Sequence, residues 1–254
     1  MIVKSEAIIL KSIKYGESSK ILTLLTDRYG KMSVIAKGVR GPKSKFGSLL
    51  EPMNHVSAVF YRKETRELQL LSQCDLMGYF PRVHEDVEKM GTAMGVIELA
   101  SFASHQEESG PLFHAVLDTL QTINDATKDI AIALYVYELR VLEILGFRPS
   151  FHMCAHCSRP IEERNPPGTF PGRFQLGYGG IVCPSCAMQG GATRRISRDA
   201  VQVFRALQEE GGLQTDLSEE VRGEIHGILK DLLREHISGF HGLKSESVFA
   251  AMQM

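Results

Sequence analysis

Two Cys-x-x-Cys motifs combine residue types and a spacing that suit metal chemistry: Cys154 with Cys157, and Cys183 with Cys186. In each motif, two intervening residues let one tight turn direct both sulfurs to a single point. The pair of motifs therefore supplies the four ligands of a tetrahedral four-cysteine site, which zinc favours. Because four sulfurs leave no open position for water, the motifs predict one structural zinc ion per chain and no metal-based catalysis.

The same cysteines have alternative uses. Disulfides need an oxidising compartment, but the chain opens Met-Ile-Val-Lys, without a charged-then-apolar leader, so we expect a reducing cytoplasm. A thioredoxin-like redox pair would need one motif in a βαβ setting, whereas here two motifs lie in a loop rich in glycine and proline. His152 or His156 could replace a sulfur, although solvated histidines are the simpler expectation. Cys74 lies in an apolar run and is expected to be a small buried side chain.

The segments around the motifs must position them. Between the motifs, Phe170–Val182 carries Gly177, Gly179 and Gly180, a pattern that predicts a hairpin leading into the second motif. Before residue 80 the chain contains five short β-rich runs, which predict a small closed barrel without exposed sheet edges. These runs are 6–11, 20–26, 32–37, 56–61 and 68–72.

Helical patterns follow the barrel. Pro81 marks the break, and apolar residues then recur at helical spacing. Gly110-Pro111 starts a helix, Gly146 ends one that begins near Ile130, and Ser197 and Ser218 are expected N-caps. The predicted apolar faces are Val87, Met90, Met94 and Ile97 in the first long helix, and Leu112, Val116, Leu120 and Ile123 in the next.

The pattern places domain limits along the chain. We expect residues 1–80 to form the barrel, 81–150 and 191–240 to form one helical domain, 151–190 to form an inserted ribbon, and 241–254 to form a C-terminal tail. The apolar stretch from Ile130 is interrupted by Glu138, Arg140 and Glu143. It therefore predicts a buried central helix and no membrane span.

Charge is sorted along the chain. The whole chain has a net charge of −1, but residues 1–80 hold 13 Lys/Arg against 7 Asp/Glu. Residues 81–150 hold 5 against 11, and residues 151–254 hold 11 against 12. A basic barrel joined to an acidic middle segment indicates a face that binds a polyanion and a separate surface for another partner.

Two basic clusters are the candidate nucleic-acid contacts. The loop 37–45 carries four cations together with two glycines and a proline, and a second cluster occupies the turn between the last two predicted strands. Phe46 and Tyr61 are possible stacking platforms for bases, although such aromatics are commonly core residues and such lysines can simply keep a loop in solution. The cations are Lys37, Arg40, Lys43, Lys45, Arg62, Lys63 and Arg66.

Catalytic and nucleotide-binding motifs are missing from the sequence. The stretch 41–48 lacks the pattern G-x-x-x-x-G-K-[ST], and G-x-G-x-x-G, G-x-S-x-G and H-E-x-x-H do not occur. Paired glutamates and scattered histidines do not form a catalytic arrangement, so we expect a protein that is not an enzyme.

Several motifs together resemble the RecO family of bacterial recombination-mediator proteins. The resemblance runs through Glu6-Ala7-Ile8-Ile9-Leu10, the segment 15–26, Gly30-Lys31 and 36–40. It continues through Leu139, Leu142 and Leu145-Gly146-Phe147-Arg148-Pro149 to the paired cysteine motifs. It implies an α+β multidomain fold: an N-terminal five-stranded OB-fold barrel, an all-α domain and an inserted zinc ribbon with four cysteine ligands.

The same resemblance implies a function. Such proteins bind single- and double-stranded DNA, anneal complementary strands, and work with RecR to help RecA displace single-strand-binding protein. The barrel and its basic loops would be the DNA surface. The helical domain would take the C-terminal tail of single-strand-binding protein, for which Arg140 is our candidate carboxylate partner. A nucleoid-associated cytoplasmic location is implied. Two other classes stay open: a zinc-ribbon RNA-binding or transcription-associated factor, and a zinc hydrolase in which one cysteine leaves the metal.

Overall fold

A computed structural model describes residues 1–41, 46–105, 110–127, 129–161, 172–188, 192–209 and 217–245. The chain divides into two units. Met1–Ile130 and Leu243–Met254 form the first, and Ala131–Gly242 form the second. The helices before residue 130 thus belong with the barrel, and the later ones belong with the ribbon. The domain limits given by the sequence stay a prediction.

The first unit contains the predicted closed barrel of five strands. Its strand order is β1-β2-β3-β5-β4, in which β3 and β5 are parallel and the other neighbours are antiparallel. The prediction of a five-stranded barrel is therefore confirmed. The strands are β1 (Ile2–Tyr15), β2 (Ser19–Thr26), β3 (Gly30–Ala36), β4 (His55–Tyr61) and β5 (Leu68–Gly78).

Alternation along the strands builds the barrel core. Every second residue of β2 (Leu22, Leu24) and of β4 (Val56, Ala58, Phe60) is buried in one cluster, as expected when successive side chains point to opposite faces. Cys74 belongs to the same cluster, which confirms that it is a small buried side chain.

Between the barrel and residue 130, the described residues form the helices α1 (Pro81–Glu85), α2 (Val87–Ala103) and α3 (Gly110–Asp125). The predicted apolar face of α3 is buried throughout. The face predicted for α2 is wrong in part, because Val87 is exposed whereas Ala93, Val96 and Ala100 are fully buried. Small side chains that the sequence pattern underweighted thus form the packed face of α2.

Part of the predicted C-terminal tail packs on the first unit. The Glu98 carboxylate on α2 accepts hydrogen bonds from the backbone N–H groups of Lys244 (3.0 Å) and Ser245 (3.1 Å), and Leu243 is buried. Residues 243–245 are therefore fixed against α2.

The second unit begins at Ala131, one residue inside α4 (Ile130–Ile144), and its later described helices are α5 (Pro184–Ala187), α6 (Arg198–Gln208) and α7 (Glu219–His236). Gly146 adopts a φ of 84° and ends α4, where the Phe147 N–H donates to the Leu142 carbonyl. The side chains of Ser197 and Ser218 cap α6 and α7. These three predictions are confirmed. None of the helices within the described ranges is long and apolar enough to cross a membrane.

The ribbon contains a three-stranded antiparallel sheet in the order β7-β6-β8. Its strands are β6 (Arg173–Gln175), β7 (Gly180–Val182) and β8 (Thr193–Arg195). Strands β6 and β7 form the predicted hairpin, which leads directly into Cys183. Phe170, where that hairpin was predicted to begin, lies outside the described residues.

Candidate functional site

The two Cys-x-x-Cys motifs meet in the second unit. The Sγ atoms of Cys154, Cys157, Cys183 and Cys186 all lie within 4.8 Å of one another, and those of Cys157 and Cys183 are 3.9 Å apart. Tetrahedral zinc with bonds of about 2.3 Å requires sulfurs roughly 3.8 Å apart. A disulfide would require about 2.05 Å, and the cysteines are free thiols. The arrangement therefore fits a metal ion.

Local backbone structure aims the sulfurs. In the first motif, the Ser158 N–H donates to the Cys154 carbonyl, and Ser158 has a φ of 55°, which closes a tight turn. In the second, Cys183 precedes α5, and the N–H groups of Cys186 and Ala187 donate to its carbonyl. The Ala155 N–H donates to the Ile181 carbonyl at 2.8 Å, so the first motif is joined to the hairpin that carries the second.

The surroundings of Cys154 lower the pKa of its thiol, unlike those of Cys157 and Cys186. Burial opposes ionisation of Cys154, but backbone N–H groups of Cys183, Cys157 and His156 donate to its sulfur and lower its pKa to about 6. Burial raises the pKa of Cys186 to about 12, and burial followed by the neighbouring Cys154 thiol raises that of Cys157. The surroundings of Cys154 thus favour its thiolate, and a metal ion bound by all four sulfurs would displace the protons of the other thiols.

The metal-binding group formed by the described residues contains the four cysteines and no histidine. His152 and His156 are exposed, and the His156 ring packs edge-on against Tyr178, with ring centroids 4.9 Å apart. The alternative that a histidine replaces a sulfur is therefore not supported by the geometry. Four sulfur ligands complete a tetrahedral shell, which suits a structural role.

The ribbon is attached to the helices of its own unit by an aromatic stack. Phe151, fully buried, lies against Phe204 on α6 (centroids 4.1 Å apart) and against Phe174 on β6 (5.9 Å). Arg205 Nε donates to the Phe151 carbonyl at 3.0 Å. The stability of the ribbon and the packing of α6 are thus linked through Phe151.

An exposed groove on the barrel brings three of the predicted DNA contacts together. Lys37, Lys63 and Arg66 line a cavity of about 320 Å³ with Tyr61. Its remaining lining residues are Ile35, Leu68, Gln69 and Leu70. We call this cavity the barrel groove.

Strand register creates the apolar floor of the barrel groove. Leu70 on β5 pairs with Ile35 on β3 and with Tyr61 on β4, so the three side chains form one row on the outer face of the barrel. Tyr61 is 45% exposed and Leu70 is 36% exposed. A flat apolar row with one exposed aromatic ring, rimmed by cations, is the arrangement with which proteins stack bases and hold phosphates of single strands.

The loop 62–67, between β4 and β5, is held in place by Gln69. The buried Gln69 side chain accepts a hydrogen bond from the Lys63 N–H (2.9 Å) and donates to the carbonyls of Lys63 (3.0 Å) and Arg66. Lys63 and Arg66 therefore project from a fixed backbone, which lowers the entropic cost of using them to bind a ligand.

The other predicted contacts have different surroundings. Arg40 Nη1 donates to the Gly16 carbonyl at 2.9 Å, and the Arg62 guanidinium lies 5.1 Å from the centre of the Tyr29 ring. Neither residue lines the barrel groove. Lys43 and Lys45 lie outside the described residues. Arg140 is exposed on α4 in the second unit.

Sequence reasoning missed several residues of the barrel groove. It placed Leu68 and Leu70 in the predicted strand 68–72 without assigning their faces, and both are exposed while the intervening Gln69 is buried. It left Phe46 and Tyr61 undecided between stacking and core. Phe46 packs on the barrel core, whereas Tyr61 faces solvent. The alternation in Leu68-Gln69-Leu70-Leu71 was an available signal, but only the register shows which face is outward.

Comparison with known proteins agrees with this architecture. Family models of recombination protein O match the chain, the N-terminal model over residues 1–80 and the C-terminal model over residues 84–246. Proteins named DNA repair protein RecO are similar over most of the chain. That of Chlorobaculum parvum is 36% identical over 245 residues (93% of each chain). That of Chloroherpeton thalassium is 30% identical over 254 residues (98% of each). That of Salinibacter ruber is 31% identical over 257 residues, covering 99% of this chain and 95% of the relative. The resemblance found in the sequence is thus confirmed, and the chain belongs to the recombination protein O, or RecO, family.

Proposed function

We propose that this protein binds single- and double-stranded DNA and mediates homologous recombination without catalysing a reaction. The observation that carries the proposal is the convergence of Lys37, Lys63 and Arg66 around the exposed row of Ile35, Leu70 and Tyr61. Membership of the RecO family, whose relatives are named DNA repair proteins, supports it.

The barrel groove suggests how strands are held. The three cations neutralise phosphates and release counterions, and Tyr61 stacks on one base. A strand bound through its backbone keeps most base edges free, so a complementary strand can pair while phosphate repulsion is screened. Binding energy alone drives this annealing, and we expect no requirement for ATP.

The proposed partners follow from the family. With RecR, the protein would help RecA load onto DNA that is covered by single-strand-binding protein. The helical region would bind the acidic C-terminal tail of single-strand-binding protein, and Arg140 is our candidate for pairing with a tail carboxylate. Its exposure on α4 is compatible with that role.

We also propose that the four-cysteine group holds one zinc ion. The sulfur spacing of 3.9 Å and the all-cysteine ligand set fit zinc better than a harder cation, which would select oxygen ligands. Zinc would stabilise the ribbon, and other surfaces of the protein would bind DNA.

The experiment that tests the proposal is annealing of complementary strands coated with single-strand-binding protein, with and without its C-terminal tail. The wild-type protein should anneal strands coated with the full-length single-strand-binding protein, but not strands coated with the tail-less form. It should also anneal uncoated strands. A Lys63→Gln/Arg66→Gln variant should bind single strands with a salt slope (log K against log salt) smaller by about 1.4, or 0.7 per lost phosphate contact.

The matched control is Lys4→Gln/Arg28→Gln, which removes one lysine and one arginine exposed elsewhere on the same barrel. It should retain nearly the whole salt slope. Equal slopes in the two variants would show that the barrel groove is not the DNA surface. Tighter binding to RNA than to DNA of the same sequence would favour the alternative RNA-binding function.

A further inference from the structure

A second, polar pocket adjoins the barrel groove. Its volume is about 410 Å³, and the loop 62–67 helps to line both cavities, since Lys63, Arg66 and Gln69 belong to each. The residues particular to the second pocket include Tyr29, Lys31, Arg62, Ser104 and His105. We call it the Lys31 pocket. None of its particular residues except Arg62 was expected to contact DNA.

Lys31 is a half-buried cation without an acidic partner in the described ranges of the chain. Its Nζ donates to the Ser101 carbonyl at 2.5 Å, and no carboxylate of the described residues lies within ion-pair distance of it. Burial lowers the pKa of Lys31. Because a desolvated ammonium group is costly without a counterion, an anion in this pocket would be favoured.

Arg62 supplies a second cation, whose guanidinium N–H groups can donate hydrogen bonds to a ligand. Its guanidinium lies over the Tyr29 ring, 5.1 Å from the ring centre, and Nη1 is 3.6 Å from Glu64 Oε1, whose side chain is 84% exposed. That distance is too long for a hydrogen bond, and the guanidinium makes none with the described residues. The Tyr29 ring holds Arg62 in position by a cation–π contact while its N–H groups stay available to an oxyanion.

The rest of the wall is mostly polar, with Met32 as an apolar member. Ser104 is buried, and its Oγ has no hydrogen-bond partner within the described part of the chain. Lys31, Arg62, Lys63 and Arg66 contribute four positive charges to the lining, against two from Glu64 and Glu67. The lining formed by the described residues is therefore net positive. Arg62 lies over the Tyr29 ring, so a base could not stack on that face of Tyr29.

We propose that the Lys31 pocket binds a phosphate group of a nucleic-acid strand, as a site separate from the barrel groove. A point charge and a planar guanidinium fork together suit the several oxygens of a phosphate. A strand that crosses the loop 62–67 would present successive phosphates to the barrel groove and to this pocket. The assignment of the phosphate to nucleic acid rests on the proposed function. Binding of phosphate by the pocket does not.

The first test uses free pyrophosphate as the probe. Millimolar pyrophosphate should raise the melting temperature of the wild-type protein above that measured in sodium chloride of equal ionic strength. Lys31→Met and Arg62→Gln should each lose most of this shift, and Lys4→Gln, on an exposed strand position outside both cavities, should keep it. Arg62→Gln guards against the case in which losing the Lys31–Ser101 contact itself unfolds the protein.

The second test identifies the source of the phosphate. Single strands that differ only in a 5′-phosphate or a 5′-hydroxyl are titrated over a range of salt. If the pocket takes a phosphate within a strand, Lys31→Met should weaken binding on the order of tenfold and reduce the salt slope by about 0.7 for both strands. If it takes a strand end, only the phosphorylated strand should lose affinity.

The outcomes separate this proposal from the proposed function. Pyrophosphate stabilisation that both variants lose supports the pocket, even if the Lys63→Gln/Arg66→Gln variant binds DNA normally. Absence of that stabilisation in the wild type overturns the pocket and leaves the barrel groove untouched. Wild-type affinity and salt slope for both strands in a folded Lys31→Met protein would overturn the assignment of its phosphate to a nucleic-acid strand.

Discussion

Removal of the metal should unfold the ribbon while the barrel stays folded. The perturbation is Cys157→Ser, because Cys157 is the least buried of the four cysteines and a serine there can be solvated. Structural zinc in small cysteine sites contributes on the order of 10–16 kcal/mol at neutral pH. A whole domain is typically stable by only about 5–15 kcal/mol. The ribbon sheet has three strands of three residues each, which is too little regular structure to replace that contribution.

The assay combines metal analysis with limited proteolysis. The wild-type protein should contain one zinc per chain and resist trypsin at Arg173, whose backbone lies in β6. The Cys157→Ser variant, and wild-type protein treated with a strong chelator, should be cut there. Unfolding of the ribbon also breaks the stacked contact between Phe151 and Phe204, so the thermal transition of the second unit should move to lower temperature.

Cys74→Ala is the matched control, since it removes a cysteine from the barrel core and none from the metal-binding group. It should keep its zinc and its resistance at Arg173. A metal-free wild-type protein with native trypsin resistance and an unchanged melting temperature would refute the reasoning that the ion holds the ribbon together.

Two more predictions concern the barrel. Tyr61→Ala should weaken single-strand binding by about fivefold to a hundredfold, from a stacking energy of roughly 1–3 kcal/mol, and should leave the salt slope unchanged because no charge is lost. Titration by fluorescence anisotropy would measure both, and a change in slope would contradict a stacking role. Burial, followed by the charge of Asp75, raises the pKa of the Cys74 thiol to about 11. Because the folded state holds this proton more tightly than the unfolded state, the associated stability is complete below pH 9 and is lost between pH 9 and 11, by roughly 3 kcal/mol. Urea unfolding across that range should show the wild-type protein losing stability relative to the Cys74→Ala variant. A constant difference in their unfolding free energies would contradict the raised pKa.

Features that depend on a few neighbouring residues were predictable. The spacing of Cys154 to Cys157 and of Cys183 to Cys186 fixes which sulfurs can share a metal, because each pair is set by one turn. The helix caps Ser197 and Ser218 act on backbone groups within the first turn, and Gly146 ends α4 by its own φ. The five strands follow in the same way from local alternation.

The DNA candidates could be ranked only in the folded chain. Lys63 and Arg62 are adjacent in sequence and equal in charge, yet Lys63 lines the barrel groove and Arg62 lies over Tyr29. Composition cannot distinguish the two residues, because their roles depend on the direction in which each side chain points and on the residues that surround it in the folded chain.

The sequence by itself determined the metal-binding group, the kinds of elements and the family, because these depend on short-range spacing and on motifs in a fixed order. The tertiary structure alone decided where the functional surfaces lie. Closure of the barrel pairs Ile35 with Leu70 and places Lys31 and Arg62 around one pocket, although the members of each pair are far apart in the chain. In a strand, a slip of one residue would exchange the inner and outer faces, so the barrel groove exists only in the register that closure imposes.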